Sequence, residues 1–409
     1  EARPAQRVLE DARDFVPAVC ADADALASLL RAFAKGGFER ARGQRVAIIG
    51  AGPAGLSAAH DLALMGFEPH VFEIEPVPAG MLALGVPEYR LPRDLVRREI
   101  AVIEALGVRI HCATEVGRDV SFRELRRDHS AVIIAVGAKR PRGLGLPGEA
   151  GPRVYGGVDF LRAVALDEPI DVGKSVVVVG GGNVAYDVAR TVVRQIAYDA
   201  ARTAARLSAT REVKICSLET LEEMPADTVE ILEGDEEGIE RLNGWGPLRI
   251  LRDAEGRVDG VLLKRCLQVF DSRGRFSPVF DEADQLSVSC DTVFLATGQT
   301  TDLSFLDDGG EDVSQARPGW PRVDRDTLCT TADGVFVAGD LAHGTRLLID
   351  AVASGKRAAR SVYEHVTGCR ISVDAVQSHI PIAPYDREPG YERIRRSPVP
   401  TRPAQQRLS

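Results

Sequence analysis

Two segments of this chain share one pattern: an apolar strand, a glycine-rich turn and a helix-compatible run. The first reads Val46-Ala-Ile-Ile-Gly50-Ala-Gly52-Pro53-Ala54-Gly55 and continues from Leu56 to Met65; the second reads Val176-Val-Val-Val-Gly180-Gly-Gly182-Asn183-Val184-Ala185 and continues to Arg194. A glycine triplet alone is a weak signal, but between a strand and a helix it is a dinucleotide-binding fingerprint. Two copies imply two nucleotide ligands held close together.

In the first copy each glycine has a separate task. Gly50 permits the tight turn, Gly52 lets the backbone approach a pyrophosphate, and Gly55 brings helix and strand together. The phosphates then sit on the free N–H groups and positive end of the new helix. Gly66 stops that helix as a C-terminal cap. A second strand, Glu68 to Phe72, ends at Glu73, which lies where a carboxylate about 20 residues past the first glycine grips a ribose hydroxyl.

Composition narrows the class. A length of 409 residues predicts two or three domains, and a net charge of −9 without a long basic block argues against nucleic acid. The longest apolar runs (Val46–Ile49, Val176–Val179, Ala131–Val136) have the length of strands, far short of a membrane span. No signal-like apolar segment opens the chain, so a cytoplasmic location is expected. The seven cysteines (Cys20, Cys112, Cys216, Cys266, Cys290, Cys329, Cys369) include no Cys-x-x-Cys pair and no metal-ligand spacing. They read as buried small residues in a reduced compartment, and no metal site is expected.

Along the chain, Val8-Leu9, Phe15-Val16 and Leu26, Leu29, Leu30, Phe33 recur at helical spacing ahead of Gly36-Gly37. After Glu73 come the loop Pro78-Ala-Gly80-Met81-Leu82, the stretch Gly85-Val-Pro-Glu-Tyr-Arg90-Leu-Pro92, a helix from Asp94 to Leu106, and strands at Arg109–Cys112 and Ala131–Ala135. Leu144 to Gly148 reads as a crossing linker. The helix of the second unit is expected to extend through Ala200–Leu207, ahead of a strand at Glu212–Cys216. A meander turning at Ser272-Arg-Gly274 and a strand at Thr292–Ala296 follow. Gly334 to Asp340 is a buried strand ending in an acid, and Thr345 to His365 is a long helix. Past Cys369 the composition turns to Pro, Arg and polar residues, with Arg393, Arg395, Arg396, Arg402 and Arg407, which suits a surface-wrapping tail.

These pieces, in this order, resemble the small-subunit family of bacterial glutamate synthase, FAD-dependent NAD(P)H oxidoreductases that also occur inside larger redox complexes. The signatures are GAGPAGLSAA, GMLALGVPEYRLP, VVVVGGGNVAYDVAR, EEMPA, FLATGQ, VFVAGD and the tail YERIRRSPVPTRP, spread from Arg45 to Leu408. The resemblance implies an α/β fold of two Rossmann-like domains, the NAD domain inserted into the FAD domain. The expected division is 1–43, a helical N-terminal segment; 44–150 and 299–368, the FAD domain in two parts; 151–298, the NAD domain; and 369–409, an extended tail.

The same resemblance implies the ligand contacts. FAD would lie on Gly50, Gly52, Pro53, Ala54, Gly55 and Glu73, with Gly80, Met81, Leu82 and Arg90 against the flavin and Val116 near the adenine. Val136, Gly137 and Gly339 would complete that site. Asp340 would bond the ribityl chain or pyrophosphate, and Leu347 and Leu348 would point backbone amides at the flavin edge. A positive helix end there favours negative charge on a reduced flavin. NAD(H) would lie on Gly180, Gly182, Asn183, Val184, Ala185, Glu219, Thr297 and Gly298. His343 reads as a loop histidine rather than a flavin contact.

Two departures from the family shape the functional expectation. Relatives commonly carry a cysteine-rich N-terminal iron–sulfur domain, whereas only Cys20 precedes the first fingerprint here. NADPH users place an arginine pair after the second strand of the second domain, where this chain has Cys216-Ser-Leu-Glu219. The expected function is an NADH- and FAD-binding electron-transfer subunit. It would exchange hydride between NAD(H) and FAD, and single electrons with iron–sulfur clusters of partner subunits, with a lean to an aldehyde or formate oxidoreductase complex. The alternatives are a self-contained flavin reductase of a small acceptor, a glutamate synthase small subunit, and a structural flavoprotein with a vestigial nucleotide site.

Overall fold

A computed structural model describes residues 22–33, 41–202, 212–371 and 402–407. The first sheet is parallel. Its strands are β1 (Arg45–Ile49), β2 (Glu68–Phe72), β3 (Arg109–His111) and β4 (Ala131–Ile134), joined by a strand from far along the chain. The second parallel sheet holds β5 (Val154–Gly156), β6 (Ser175–Val179), β7 (Glu212–Ser217), β8 (Glu240–Asn243) and β12 (Thr292–Leu295). Before β12 the chain makes an antiparallel meander of β9 (Trp245–Arg252), β10 (Val258–Phe270) and β11 (Phe276–Val288). The chain then returns to the first sheet with β13 (Val335–Val337), which pairs with β4 to give the order β13-β4-β1-β2-β3.

The second sheet runs β5-β12-β6-β7-β8, so in each sheet the strand entering a glycine turn has neighbours on both sides. β1 and β6 are almost wholly apolar because successive residues on both of their faces are buried. Where the chain leaves the first sheet and later returns, Arg140–Pro141 pairs antiparallel with Gln299–Thr300.

The longer helices are α1 (Ala23–Phe33), α2 (Pro53–Leu64), α3 (Arg93–Ala105), α4 (Gly157–Ala165), α5 (Asn183–Arg202), α6 (Thr228–Glu236) and α7 (Leu348–Thr367). Gly66 does close α2: with φ +90° it lets its own N–H reach Ala63 O and the Phe67 N–H reach Leu62 O. The same helix packs closely on α7, because a Cβ at Gly355 would lie 2.1 Å from Ala54 O. On the other side of the second sheet, Val177, Val179, Val293 and Leu295 pack against Trp245, Ile250, Val261 and Leu263 of the meander.

Several sequence expectations land differently. The long C-terminal helix starts at Leu348 rather than Thr345, because Leu347 is an extended N-cap residue (φ −67°, ψ 154°); Asp340–His343 ahead of it is a separate short helix closed by Gly344 at φ +80°. Of the N-terminal segment, α1 is helical and lies on α3, with Arg31 donating to Ala105 O at 2.6 Å; the patterns at Val8 and Phe15 fall outside the described residues. The extension of α5 is described as far as Arg202. Most of the tail, including Arg393, Arg395 and Arg396, is likewise outside. Its end is described: the short helix Ala404–Arg407 sets Arg407 against Glu233, Glu236 and Glu237, so the acidic surface it meets belongs to this same chain.

Candidate functional site

The two glycine turns are built alike. At Gly50 (φ +103°) a Cβ would stand 2.5 Å from Ala135 O, and at Gly55 one would stand 2.0 Å from Gly50 O. Neither position admits a side chain without moving backbone. Gly52, between them, has nothing within 4 Å of an added Cβ. In the second turn Gly180 (φ +149°) would meet Ala296 O at 2.6 Å, whereas Gly182 again faces open space. In the first turn Gly50 and Gly55 close and pack the loop and Gly52 borders an opening; in the second, Gly180 closes the loop and Gly182 borders the opening. The α2 N-terminus has Gly52 as N-cap without a side-chain bond, and Pro53 follows, so its first-turn amides have no capping side chain. An uncapped helix end over an open cradle fits the pyrophosphate of a dinucleotide such as FAD, and the second turn offers the same open glycine to another.

Glu73 is 1% exposed and its carboxylate is already engaged. It accepts from Ala51 N–H at 2.6 Å, from Glu75 N–H at 3.0 Å, and from the Lys139 ammonium at 3.2 Å. The acid thus holds the glycine loop itself in place. Lys139, just past Gly137, was not singled out by the sequence, since nothing local marks it as Glu73's partner. Val116 is buried beside β1 and β4 and forms a bridge with Val120. Val136 packs against that same cluster, and Gly137 at φ +68° opens onto free space.

Gly80 comes onto the first cradle directly: its Cβ would be 3.0 Å from Gly52 Cα, and Ala79 N–H donates to Ala51 O at 2.9 Å. Met81 and Leu82 begin the short helix Met81–Leu84. From the other side, Gly339 (φ +71°) approaches Ala54 so closely that an added Cβ would be 2.9 Å from Ala54 Cβ, while its N–H donates to the buried Ser354 Oγ. Asp340 follows, half-buried, and burial raises its carboxyl above the ordinary value against one bond from Arg346 N–H. His343 ends the short helix, half-buried, and its imidazole is held below its usual value by burial and by Arg346, Arg357 and Arg325. Leu347, Leu348 and Ile349 are exposed at the start of α7.

In the second cradle Asn183 opens α5 and accepts from Asp227 N–H at 2.7 Å, and Ala185 is fully buried behind the turn where the first copy has Gly55. The Glu219 carboxylate stands over the turn: a Cβ at Gly181 would be 2.6 Å from Glu219 Oε2. Thr297 and Gly298 continue β12, both tied to Arg142 through Oγ1–O and O–N bonds of 3.4 and 3.1 Å.

Arg90, expected against the flavin, reaches the helices of the second cradle. Its Nη1 donates to both Asp187 oxygens at 2.7 and 2.9 Å, and its Nε meets Glu230 at 3.1 Å. The adjacent Tyr89 ring lies under Arg194 at 3.7 Å and Arg190 at 5.0 Å. Arg190 is 1% exposed and ion-paired with Glu230, Glu233 and Glu237. A second tie joins Arg162 on α4 to Glu75 at 2.9 Å. No helix among the described residues is long and apolar enough to cross a membrane.

The profile of the pyridine nucleotide-disulphide oxidoreductases matches residues 44–355. The NADP(+)-dependent formate dehydrogenase subunit beta of Moorella thermoacetica is 42% identical over 330 residues, covering 79% of this chain and 44% of that one. The glutamate synthase [NADPH] small chain of Azospirillum brasilense is 34% identical over 340 residues, covering 80% of this chain and 67% of that one. This chain therefore spans less than half of the former relative and two thirds of the latter. In fold it is similar to Mycobacterium tuberculosis FprA in complex with NADPH, with TM-score 0.67 and 19% identity over 80% of this chain and 85% of that one.

Proposed function

The chain belongs to the pyridine nucleotide-disulphide oxidoreductase family and is an FAD-dependent NAD(P)H oxidoreductase, and we propose that it serves as the NADH-oxidising or NAD-reducing electron-transfer part of a larger iron–sulfur assembly. Its two parallel sheets each end in a cradle with one open glycine, Gly52 and Gly182; that pair of cradles carries the reading. The domain division that goes with it is 44–150 and 299–368 for FAD and 151–298 for NAD, with the paired strands Arg140–Pro141 and Gln299–Thr300 at the crossing.

FAD, when bound, supplies hydride acceptance from the nicotinamide and one-electron exchange with a partner's clusters. The chain's own residues bind and orient. Gly52, Pro53, Ala54 and the α2 N-terminus hold the pyrophosphate, and Glu73 keeps that loop in shape at the ribose. Gly80, Met81, Leu82, Val136 and Gly137 border the flavin side, and Val116 the adenine side. Gly339 and Asp340 bring a carboxylate against the ribityl chain, and the amides of Leu347 and Leu348 face the flavin edge. Gly180, Gly182, Asn183, Val184, Ala185, Thr297 and Gly298 hold the nicotinamide nucleotide. Glu219, over the second turn, bonds an adenosine ribose and repels a 2′-phosphate, which favours NADH although the two relatives named above are NADP-dependent.

The formate dehydrogenase relative favours a formate-type complex as the source or sink of electrons, and a cytoplasmic location is part of this proposal. Anaerobic titration of the FAD-loaded chain with NADH, followed at the flavin absorbance, tests the core of the reading. Persistence of the oxidised spectrum with both NADH and NADPH would refute it.

A further inference from the structure

Building on that functional reading, we infer that Arg90 is a positioning residue: with Tyr89 it clasps the NAD domain and sets the approach of the nicotinamide to the flavin. Among the described residues, the segment from Gly80 to Leu91 runs from the first cradle to the helix that opens the second. Its first residue sits on Gly52, as the 3.0 Å Cβ approach shows. Its far end delivers Arg90 to Asp187, on α5 just past Asn183, the helix whose first turn borders the open Gly182. A displacement at either end is therefore passed to the other cradle.

The segment is stiff enough to transmit position. Arg93 donates to Leu82 O and to Val86 O, both at 2.6 Å, bracing the loop from below. The short helix Met81–Leu84 forms the segment's first part, and Arg162 on α4 holds Glu75 in the loop that leads into it. The receiving surface is stiff as well. Arg190 and Arg194 hold Glu230, Glu233 and Glu237 together, and both guanidinium groups stand over the Tyr89 ring, at 5.0 and 3.7 Å from its centroid.

The internal stability of the NAD domain does not call for Arg90, because Arg190 already answers Glu230. Asp187, 8% exposed at its side chain, is the group that depends on it. Desolvating such a pair costs about as much as the attraction returns, so its contribution is better sought in orientation than in stability. The fork of an arginine fixes direction as well as distance, which a lysine cannot reproduce.

The test compares the FAD-loaded wild type with Arg90→Gln, Arg90→Lys and the double variant Arg90→Gln/Asp187→Asn, which leaves no unpaired buried charge. Four quantities are read: FAD content, NADH affinity by calorimetry, the limiting rate of flavin bleaching by NADH, and hydrogen exchange of residues 80–91 and the first turns of α5. The expected result is a limiting rate lowered about tenfold or more, because small misplacements of reacting groups are costly. FAD content and NADH affinity should stay near wild type, and exchange should rise in those two segments alone. An unchanged or faster limiting rate would overturn the inference, as would a loss fully accounted for by lost FAD or weaker NADH binding. Should the wild type fail to bleach with either nucleotide, the functional reading falls, while unchanged exchange in the variants would independently remove the clasp.

Discussion

Glu73 accepts the backbone N–H of Ala51 at 2.6 Å, so the acid at the end of β2 shapes the glycine turn that follows β1. Its other oxygen takes the Glu75 N–H and the Lys139 ammonium. Replacing Glu73 with Gln keeps the size but presents one acceptor and one donor to three donors. Buried donors left without partners cost about 1–3 kcal/mol. Glu73→Gln is expected to lower the melting temperature and to lose FAD on gel filtration, with both read on the same preparation. Retention of FAD at wild-type level would show that the carboxylate is dispensable to the cradle.

The glycines of the first turn separate binding from folding. Gly52→Ala meets nothing within 4 Å and keeps an ordinary backbone (φ −72°, ψ 179°), so the chain should fold as before while the new methyl occupies ligand space. Gly55→Ala would put a Cβ 2.0 Å from Gly50 O, a backbone clash that the flexible end of a side chain cannot relieve. Overpacking of this kind costs about 1–3 kcal/mol or more. Melting curves and FAD stoichiometry on the two variants should therefore part: binding lost with stability kept for Gly52→Ala, and stability lost for Gly55→Ala. Equal melting losses in both would contradict the open cradle.

Glu219 is expected to set nucleotide choice. A carboxylate beside a 2′-phosphate loses a hydrogen bond and adds repulsion, together about 3 kcal/mol or roughly a hundredfold in kcat/KM. Wild type should favour NADH by that order, and Glu219→Ala should shrink the ratio mainly by raising kcat/KM for NADPH. Equal specificity constants in the wild type would sink the assignment.

Short-range geometry was what the sequence made legible. The strand, turn and helix of each cradle follow from contiguous residues, and so does the Schellman closure at Gly66, because φ, ψ and side-chain volume are local properties. Partners across long separations were not legible. Arg90 sits in a motif whose family resemblance pointed at the flavin, and only the tertiary fold reveals Asp187, 97 positions away, as its acceptor. Lys139 and Arg407 were hidden for the same reason, since one cation on a surface stretch looks like any other until its carboxylates are placed. The start of α7 differs from the expected Thr345 because Leu347 takes an extended N-cap conformation (φ −67°, ψ 154°), a backbone choice that the apolar pattern does not mark.

Acid should weaken the fold through His70. Its ring stacks on His111 at 5.4 Å and meets His129 edge-on at 5.6 Å, with Phe72 completing the group. Burial first, then the neighbouring His129, His111, Arg109 and Arg45, bring its pKa from 6.5 down to about 4. The unfolded chain takes up this proton near pH 6.5, whereas the folded chain resists until about pH 4, so unfolding gains a proton within that window. Stability contributed by the neutral ring is present above 6.5 and is lost as pH falls toward about 4. The melting temperature of His70→Gln should decline less over that span than the wild type's, and parallel curves would assign the acid sensitivity elsewhere.

The tail end is expected to hold the acidic helix α6 and the residue after it. Arg407, 12% exposed at its side chain, meets Glu233 and Glu237 at 3.5 and 3.3 Å and also pairs with Glu236. Glu237 is completely buried at its side chain and keeps Arg190 and Arg194 when Arg407 is removed, so the loss is partial. Hydrogen bonds to charged groups contribute about 1.5–3 kcal/mol, and deleting residues 402–409 should destabilise the chain by an amount near the lower end of that range. Raising salt should narrow the gap between full-length and shortened chains less than it would for an exposed pair, since the contact is largely shielded from solvent. Two measurements on the shortened chain decide what the tail does. A lower melting temperature with normal association to an iron–sulfur partner would make it an intramolecular strap, and lost association at an unchanged melting temperature would return it to the docking role that its arginines suggest in isolation.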